Sequence, residues 1–347
     1  MLTASAIRLA ESGRVPDTLI RIGIRQIVKQ RLREEIREGA DIKAARTRAL
    51  RESAVALHTT TANEQHYELP TSFFQHVLGP RLKYSASIYP HAAASLAEAE
   101  RHTLELYEQR MGVREGDRIL DLGCGWGSFA LWIAERRPSV QVTAVSNSAT
   151  QRQYIESRIA SLGLSNLEVR TADVNELELP EAAFDHVISV EMFEHIRNYA
   201  VLMSRIHRWL KPGGGLFVHI FCHKEFLYPY ETEGESNWMA RYFFTGGQMP
   251  AADTLLSFQD ELSIEERWLH DGTHYQRTTR HWLENMDRAA SEITGPLRET
   301  YGEADWKVWQ QRWRMFFMAC EEMFAYDHGR QWQVAHYRFR KPAAEAP

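Results

Sequence analysis

Cysteine is scarce in this chain, and long apolar runs are absent from it. Cys124, Cys222 and Cys320, three in 347 residues, are too few and too far apart for a disulfide framework, so a reducing cytoplasm is the expected compartment. No stretch approaches the apolar length that a membrane-spanning helix needs. The first twenty residues carry Arg8, Glu11, Arg14 and Asp17, which leaves no room for the apolar region of a signal peptide. An excess of positive charge is also missing. Against 46 Asp and Glu stand 41 Lys and Arg, a net charge of −5 that argues against general polyanion binding, and no nucleic-acid partner is expected. His219, His223 and His274 are scattered without metal-ligand spacing, so no metal site is expected either. What the chain does have is aromatic mass. Ten Trp, thirteen Tyr and fifteen Phe in a composition that is 44% hydrophobic describe a folded globular protein.

Charge is unevenly placed. Residues 1–58 hold 12 Lys and Arg against 7 Asp and Glu, so the rest of the chain is correspondingly more acidic. Within that segment Ile20, Ile22, Ile24, Ile27 and Val28 interleave with Arg21, Arg25, Lys29, Arg31 and Arg33. The pattern predicts a helix with an apolar stripe and a cationic face, starting after Pro16 and stopping at Gly39. Packing on the core is one reading of that helix, and peripheral contact with anionic lipid is another.

From about residue 101 to 225 the texture changes. Short β-branched runs, Arg118–Leu122, Val140–Ser146, Leu167–Thr171, His186–Val190 and Gly215–Phe221, alternate with helical patterns at Phe129–Arg137, Thr150–Leu162 and Tyr199–Leu210. Such alternation builds a parallel sheet covered by helices on both faces. Two later strands, at Ile264–Trp268 and Trp332–Phe339, extend the expectation to an α/β fold with seven strands, the last antiparallel. Residues 1–100 read as a helical N-terminal lid, 101–225 as the nucleotide-binding core, 226–341 as a helical acceptor-binding insertion with the last two strands, and 342–347 as a loose tail.

The most specific signal is Ile119-Leu120-Asp121-Leu122-Gly123-Cys124-Gly125-Trp126-Gly127, a strand that runs through glycines into a helix. Glycine lets a ligand approach the backbone closely, and the helix amides with Asp121 can hydrogen-bond an adenosyl group and its amino-acid tail. An acid before the first glycine and the G-x-G-x-G spacing favour S-adenosyl-L-methionine over a dinucleotide or a bare structural turn. Further along, Ser146-Asn147 with Gln151, one helical turn apart, suit a ribose, and Asp173-Val174 suit an adenine. All three groups follow strand ends on one edge of the sheet, where ligands of such sheets bind.

These residues, together with Phe193-Glu194-His195, the turn at Lys211-Pro212-Gly213 and the upstream His66-Tyr67-Glu68-Leu69-Pro70 and Lys83-Tyr84-Ser85, resemble the cyclopropane-fatty-acid synthase family from about residue 60 to 341. Val190-Glu191-Met192-Phe193-Glu194-His195, Cys222-His223-Lys224 and Ser257-Phe258-Gln259-Asp260 are similar to its coclaurine-type N-methyltransferase branch. The resemblance implies a class I methyltransferase with a Rossmann-like sheet. It also places Tyr84, Ser85 and Val190 with Asp121, Gly123 and Gly125 at the cofactor. Glu194 and His195 become the expected base and anchor, aided by Glu191, which would share a helix face with both if a helix opens there. Trp238, Tyr242, Phe243 and Phe244 are expected to wall the acceptor pocket, with His219 as a further contact. The cyclopropane synthases hold a bicarbonate ion, whose cage His219 and Glu194 match, but two other members are missing here: Ala86 stands where they use a cysteine, and the late helix has no tyrosine. Cys320 matches a cysteine suspected as catalytic in the synthases, but reads better as buried and structural. Methylation of a small hydrophobic amine is therefore the leading expectation. Methylation or cyclopropanation of an unsaturated acyl chain is the alternative, and a non-catalytic cofactor-binding module a third. A homodimer is compatible with all of them.

Overall fold

The computed structural model describes residues 4–56, 69–233 and 237–343. The resembling residues His66, Tyr67 and Glu68 and the end of the expected tail lie outside them. Seven strands form the main sheet: β1 (Arg118–Leu122), β2 (Gln141–Ser146), β3 (Leu167–Thr171), β4 (Phe184–Val190), β5 (Leu210–His223), β6 (Ser263–Asp271) and β7 (Trp332–Arg340). Their order is β3-β2-β1-β4-β5-β7-β6. The first five are parallel, and β7 runs antiparallel between β5 and β6, setting His336 opposite both His219 and Trp268.

Strand side chains alternate faces, and the core divides accordingly. Ile119, Ile188 and Phe217 fall on one face with Leu104, Tyr107, Phe129 and Trp132. Leu120, Leu122, Val187, Leu216 and Val218 fall on the other with Tyr199, Leu202, Ile206 and Trp209. Each face is thus sealed by helices, which is why these strands read as nearly continuous apolar runs.

Ten helices accompany the sheet among the described residues: α1 (Ala4–Glu11), α2 (Asp17–Leu50), α3 (Thr71–Val77), α4 (Leu96–Met111), α5 (Ser128–Arg136), α6 (Ala149–Leu162), α7 (Tyr199–Trp209), α8 (Trp238–Phe243), α9 (Thr273–Arg288) and α10 (Thr294–Ala325). Helix α4 opens on a capping box between Ser95 and Glu98 and closes on left-handed Gly112. Gly39, expected as a stop, is instead a break with φ 75° after which α2 resumes to Leu50. Gly302, with φ 75°, breaks α10 in the same way.

Helices α1, α2, α3 and α8–α10 share a separate aromatic core that includes Phe73, Phe74, Trp282, Trp313, Phe316 and Phe317. Part of the cationic face of α2, and basic residues toward and just past its end, meet this chain's own acids, while Lys29 and Arg33 are exposed. Arg21 reaches Glu321 and Glu322 at 2.7 and 2.9 Å, Arg25 reaches Glu322, Lys43 reaches Asp253 and Arg51 reaches Asp260. Among the described residues, no helix is long and apolar enough to cross a membrane.

Candidate active site

The strand order changes direction between β1 and β4, and a cleft opens beyond their carboxyl ends. It encloses about 1250 Å³ of space, its open mouth included. The residues expected at the cofactor all line it: Tyr84, Ser85, Asp121, Gly123, Gly125, Ser146, Asn147, Gln151, Asp173, Val174 and Val190. Gly123 and Gly125 have φ of 80° and 54°, a region disfavoured for other residues. A Cβ on Gly125 would meet no atom within 4 Å, so the bare backbone there is exposed to the cleft.

Polar groups in the lining await a partner. Gln151 is held at Oε1 by the Ser146 hydroxyl at 2.6 Å, while its buried Nε2 has no partner among the described residues. The same is true of Ser128 Oγ and Trp126 Nε1 in the same lining. Burial pushes the Asp121 carboxyl up to about 7, the environment of an acid that needs a cation beside it. Donors without acceptors, one acid and an apolar stretch at Ala172, Val174 and Ile196 fit an adenosyl ligand carrying an amino-acid tail.

The catalytic edge departs from expectation. Phe193–His195 form a single 3-10 turn and not an α-helix, so Glu191, Glu194 and His195 do not share a helix face. Glu191 sits before the turn with φ 47°, a left-handed conformation that costs a residue with a side chain about 1–3 kcal/mol. Such strain is tolerated because the carboxylate is gripped from three sides. Oε1 accepts from the Ala86 amide at 2.8 Å and from His219 Nε2 at 3.1 Å, and Oε2 accepts from the Tyr275 hydroxyl at 2.7 Å. Only 8% of the side chain is exposed. Desolvation works to raise its pKa, but the His219 hydrogen bond, the Lys83 charge and the Ala86 amide outweigh it and hold the carboxyl below the usual range. His219, wholly buried, is itself pushed down to about 4. It is therefore an uncharged donor at neutral pH, and the charge facing Glu191 is the ammonium of Lys83, lowered by burial to about 8.

Glu194 faces the other way. Its Oε1 accepts from the Phe221 amide at 2.7 Å and its Oε2 has no partner among the described residues. Burial and the nearby Glu191 charge push this carboxyl far up, so it is a neutral acid. Glu191 and His195 line the cleft, whereas Glu194 stands behind it. Burial lowers the His195 imidazole to about 4, and its ring packs on Phe244 at 4.5 Å.

Two further expectations are corrected. Trp238, Tyr242 and Phe243 do not reach the cleft. Phe243 stacks on Phe316 at 4.4 Å, Trp238 donates to Glu11, and Tyr242 meets Arg312, all within the helical core. Their helix, α8, turns its apolar side toward α10, and only Phe244, beyond its end, comes to His195. Phe244 also packs on Tyr230 and Phe221, and Phe221 packs on Phe324, which stacks on Tyr275; these rings stand behind His195 and Glu191 and do not themselves line the cleft. His219 likewise touches Glu191 and not the cleft, being fully buried behind it. Burial and the Glu191 charge push the Cys320 thiol up, so it is a poor nucleophile. Sequence reasoning missed Tyr275 and Lys83. Lys83 stood in a motif already singled out, but nothing near Tyr275 marks it.

The family model for mycolic acid cyclopropane synthetase matches residues 56–334. (S)-Coclaurine N-methyltransferase of Thalictrum flavum subsp. glaucum is 35% identical over 344 residues, 96% of this chain and 95% of that one. The cyclopropane-fatty-acyl-phospholipid synthase of Escherichia coli (strain K12) is 27% identical over 277 residues, 79% of this chain and 67% of that one. A crystal structure of coclaurine N-methyltransferase, bound to N-methylheliamine and SAH, superposes with a TM-score of 0.92 at 33% identity, covering 97% of this chain and 99% of that one. The chain belongs to the mycolic acid cyclopropane synthetase family and is an S-adenosylmethionine-dependent methyltransferase.

Proposed function

We propose that this enzyme methylates the nitrogen of a small hydrophobic amine. The observation that carries the proposal is an ionised carboxylate, Glu191, fixed at the cleft wall next to an aromatic enclosure. When bound, the cofactor supplies a methyl group already activated by its sulfonium. Asp121 would hold the ammonium of its amino-acid tail, Ser146, Asn147 and Gln151 the ribose, and Asp173 and Val174 the adenine.

The chain's own residues handle the acceptor. A protonated amine entering the cleft is drawn to the Glu191 anion. It must lose a proton before its lone pair can act. The His195 imidazole, uncharged at neutral pH, is placed to take it, and the Glu191 charge favours the imidazolium so formed. Glu194, neutral and with one oxygen free, supports the site as a hydrogen-bonding acid. The coclaurine and pavine N-methyltransferases, at 35% and 30% identity over nearly the whole chain, support an amine acceptor. Against an acyl chain stands the occupation of His219 and the Ala86 amide by Glu191, which leaves them unavailable to an ion.

The test is methyl incorporation from labelled cofactor into a panel of secondary and tertiary cyclic amines, with membrane lipids assayed in parallel. N-methylated products with unchanged lipids are expected. Methylated or cyclopropane acyl chains without amine products would end the proposal.

A further inference from the structure

Glu191 depends on residues well outside the cleft. Arg110, in the last turn of α4, lies half-buried over the Trp268 ring at 4.5 Å. One of its terminal nitrogens faces two imidazoles, His336 at Nδ1 and His270 at Nε2, the latter at 3.0 Å. A guanidinium has donors only, so both imidazole nitrogens must accept. His336 is wholly buried and uncharged, and an imidazole that accepts at Nδ1 carries its proton on Nε2. That Nε2 lies 2.9 Å from His219 Nδ1, its partner across the β5–β7 pairing. The Tyr107 hydroxyl lies 2.7 Å from the same Nδ1, whose single lone pair takes one donor at a time, and this hydroxyl can turn to accept instead. With Nδ1 accepting, the His219 proton is confined to Nε2, the atom facing Glu191.

We propose that Arg110 and His336 are positioning residues that lock His219 in its Nε2-protonated form, so that a donor and never an acceptor faces the Glu191 carboxylate. Without the lock His336 is free to turn its proton to Nδ1, and His219 then moves its own proton away from Glu191. The carboxylate would take up a proton in response, losing both the charge that attracts the amine and its ability to support His195. The ionisable groups around this line are Lys83, Glu194, His195, Tyr107, Tyr275 and Cys320 about Glu191, and Arg110, His270 and Lys83 about His336. The Lys83 charge and the Tyr275 hydrogen bond oppose protonation of Glu191, and both are unchanged by substitution at Arg110.

The activity arm rests on the amine-methylation reading; the spectroscopic arm does not. In Arg110→Met the acid limb of the pH profile of kcat should rise by about one unit, so that kcat at a fixed pH on that limb falls about tenfold. Cofactor affinity should stay within about twofold, because Arg110 is remote from the cofactor cleft. Arg110→Lys, which retains a donor, should recover most of the activity and the original limb. Histidine-labelled protein read by nitrogen NMR should show His219 and His336 as single Nε2-protonated forms in the wild type and as mixed forms in Arg110→Met. Unchanged tautomers in Arg110→Met would overturn the proposal whatever the activity does, as would failure of Arg110→Lys to restore them. Altered tautomers in a protein that methylates no amine would uphold the lock and reject the amine reading instead.

Discussion

Substituting Glu191 by Gln isolates the charge at the centre of the site. The amide has the size of the carboxylate, and its oxygen can still accept from Ala86 and His219. Its nitrogen would face Tyr275, whose hydroxyl can rotate to accept, so the fold should survive. What is lost is one negative charge about 4 Å from an incoming ammonium, about 4 kcal/mol at the effective dielectric of a partly wet site. Water at the cleft mouth reduces this, so a loss of about 2–4 kcal/mol, or about 30-fold to 10³-fold in kcat/KM for the amine, is expected. Steady-state kinetics with the amine varied, beside calorimetric titration of the cofactor, separates the contributions. Cofactor affinity should change by no more than about threefold, since Glu191 makes no demand on the cofactor's own anchors. An unchanged kcat/KM would refute the electrostatic reasoning, and an equal loss of cofactor affinity would reassign Glu191 to a structural role.

Replacing Tyr275 by Phe removes one donor to the Glu191 anion, a bond of about 1.5–3 kcal/mol, so amine kcat/KM should fall by about tenfold or more while cofactor binding measured by calorimetry stays put. Asp121 must ionise to receive the cofactor's ammonium and lies near 7 in the free protein, so cofactor affinity should rise with pH, about tenfold between pH 6 and pH 8; a flat titration would disprove the assignment. His195→Ala should lower kcat by about 10²–10⁴-fold with little change in cofactor dissociation constant, and a variant turning over normally would remove His195 as base. Glu322→Gln breaks the partly buried contacts with Arg21 and Arg25. It should lower the melting temperature by a few degrees, about 1–2 kcal/mol, less so in high salt, and leave kcat unchanged.

How far the sequence could be read depended on how locally each feature is written. The cofactor residues lie in short stretches that follow β1, β2 and β3, so strand recognition alone carries them to one edge. Their spacing within each stretch survives folding. Glu191, Glu194 and His195 were equally visible as a cluster, yet their division of labour was not. It follows from a left-handed residue and a 3-10 turn, which point Glu191 into the cleft and Glu194 toward Phe221. The aromatic run at Trp238–Phe244 announced burial without saying against what, and packing of Phe243 on Phe316 decided it for the helical core. Alternation identified the last two strands, but no local pattern tells that β7 lies inside β6. Tyr275, Arg110 and His336 were out of reach for the same reason. Each becomes part of the site through a crossing of elements distant in sequence, and a single tyrosine, arginine or histidine carries no mark of such a meeting.

The interior placement of β7 bears on how the enzyme matures. Synthesis runs from the amino end, so β1 to β4, with the glycine turn and the adenine and ribose contacts, leave the ribosome well before Trp332–Arg340. A nascent chain could therefore assemble much of its nucleotide pocket while β5 still lacks its neighbour and His219 its partner across the pairing. Chemistry would have to wait for insertion of that late strand into a gap between two others, a slow non-local event. Until then the chain would be a binder of cofactor whose Glu191 has the Ala86 amide and the Tyr275 hydroxyl but no fixed proton on His219.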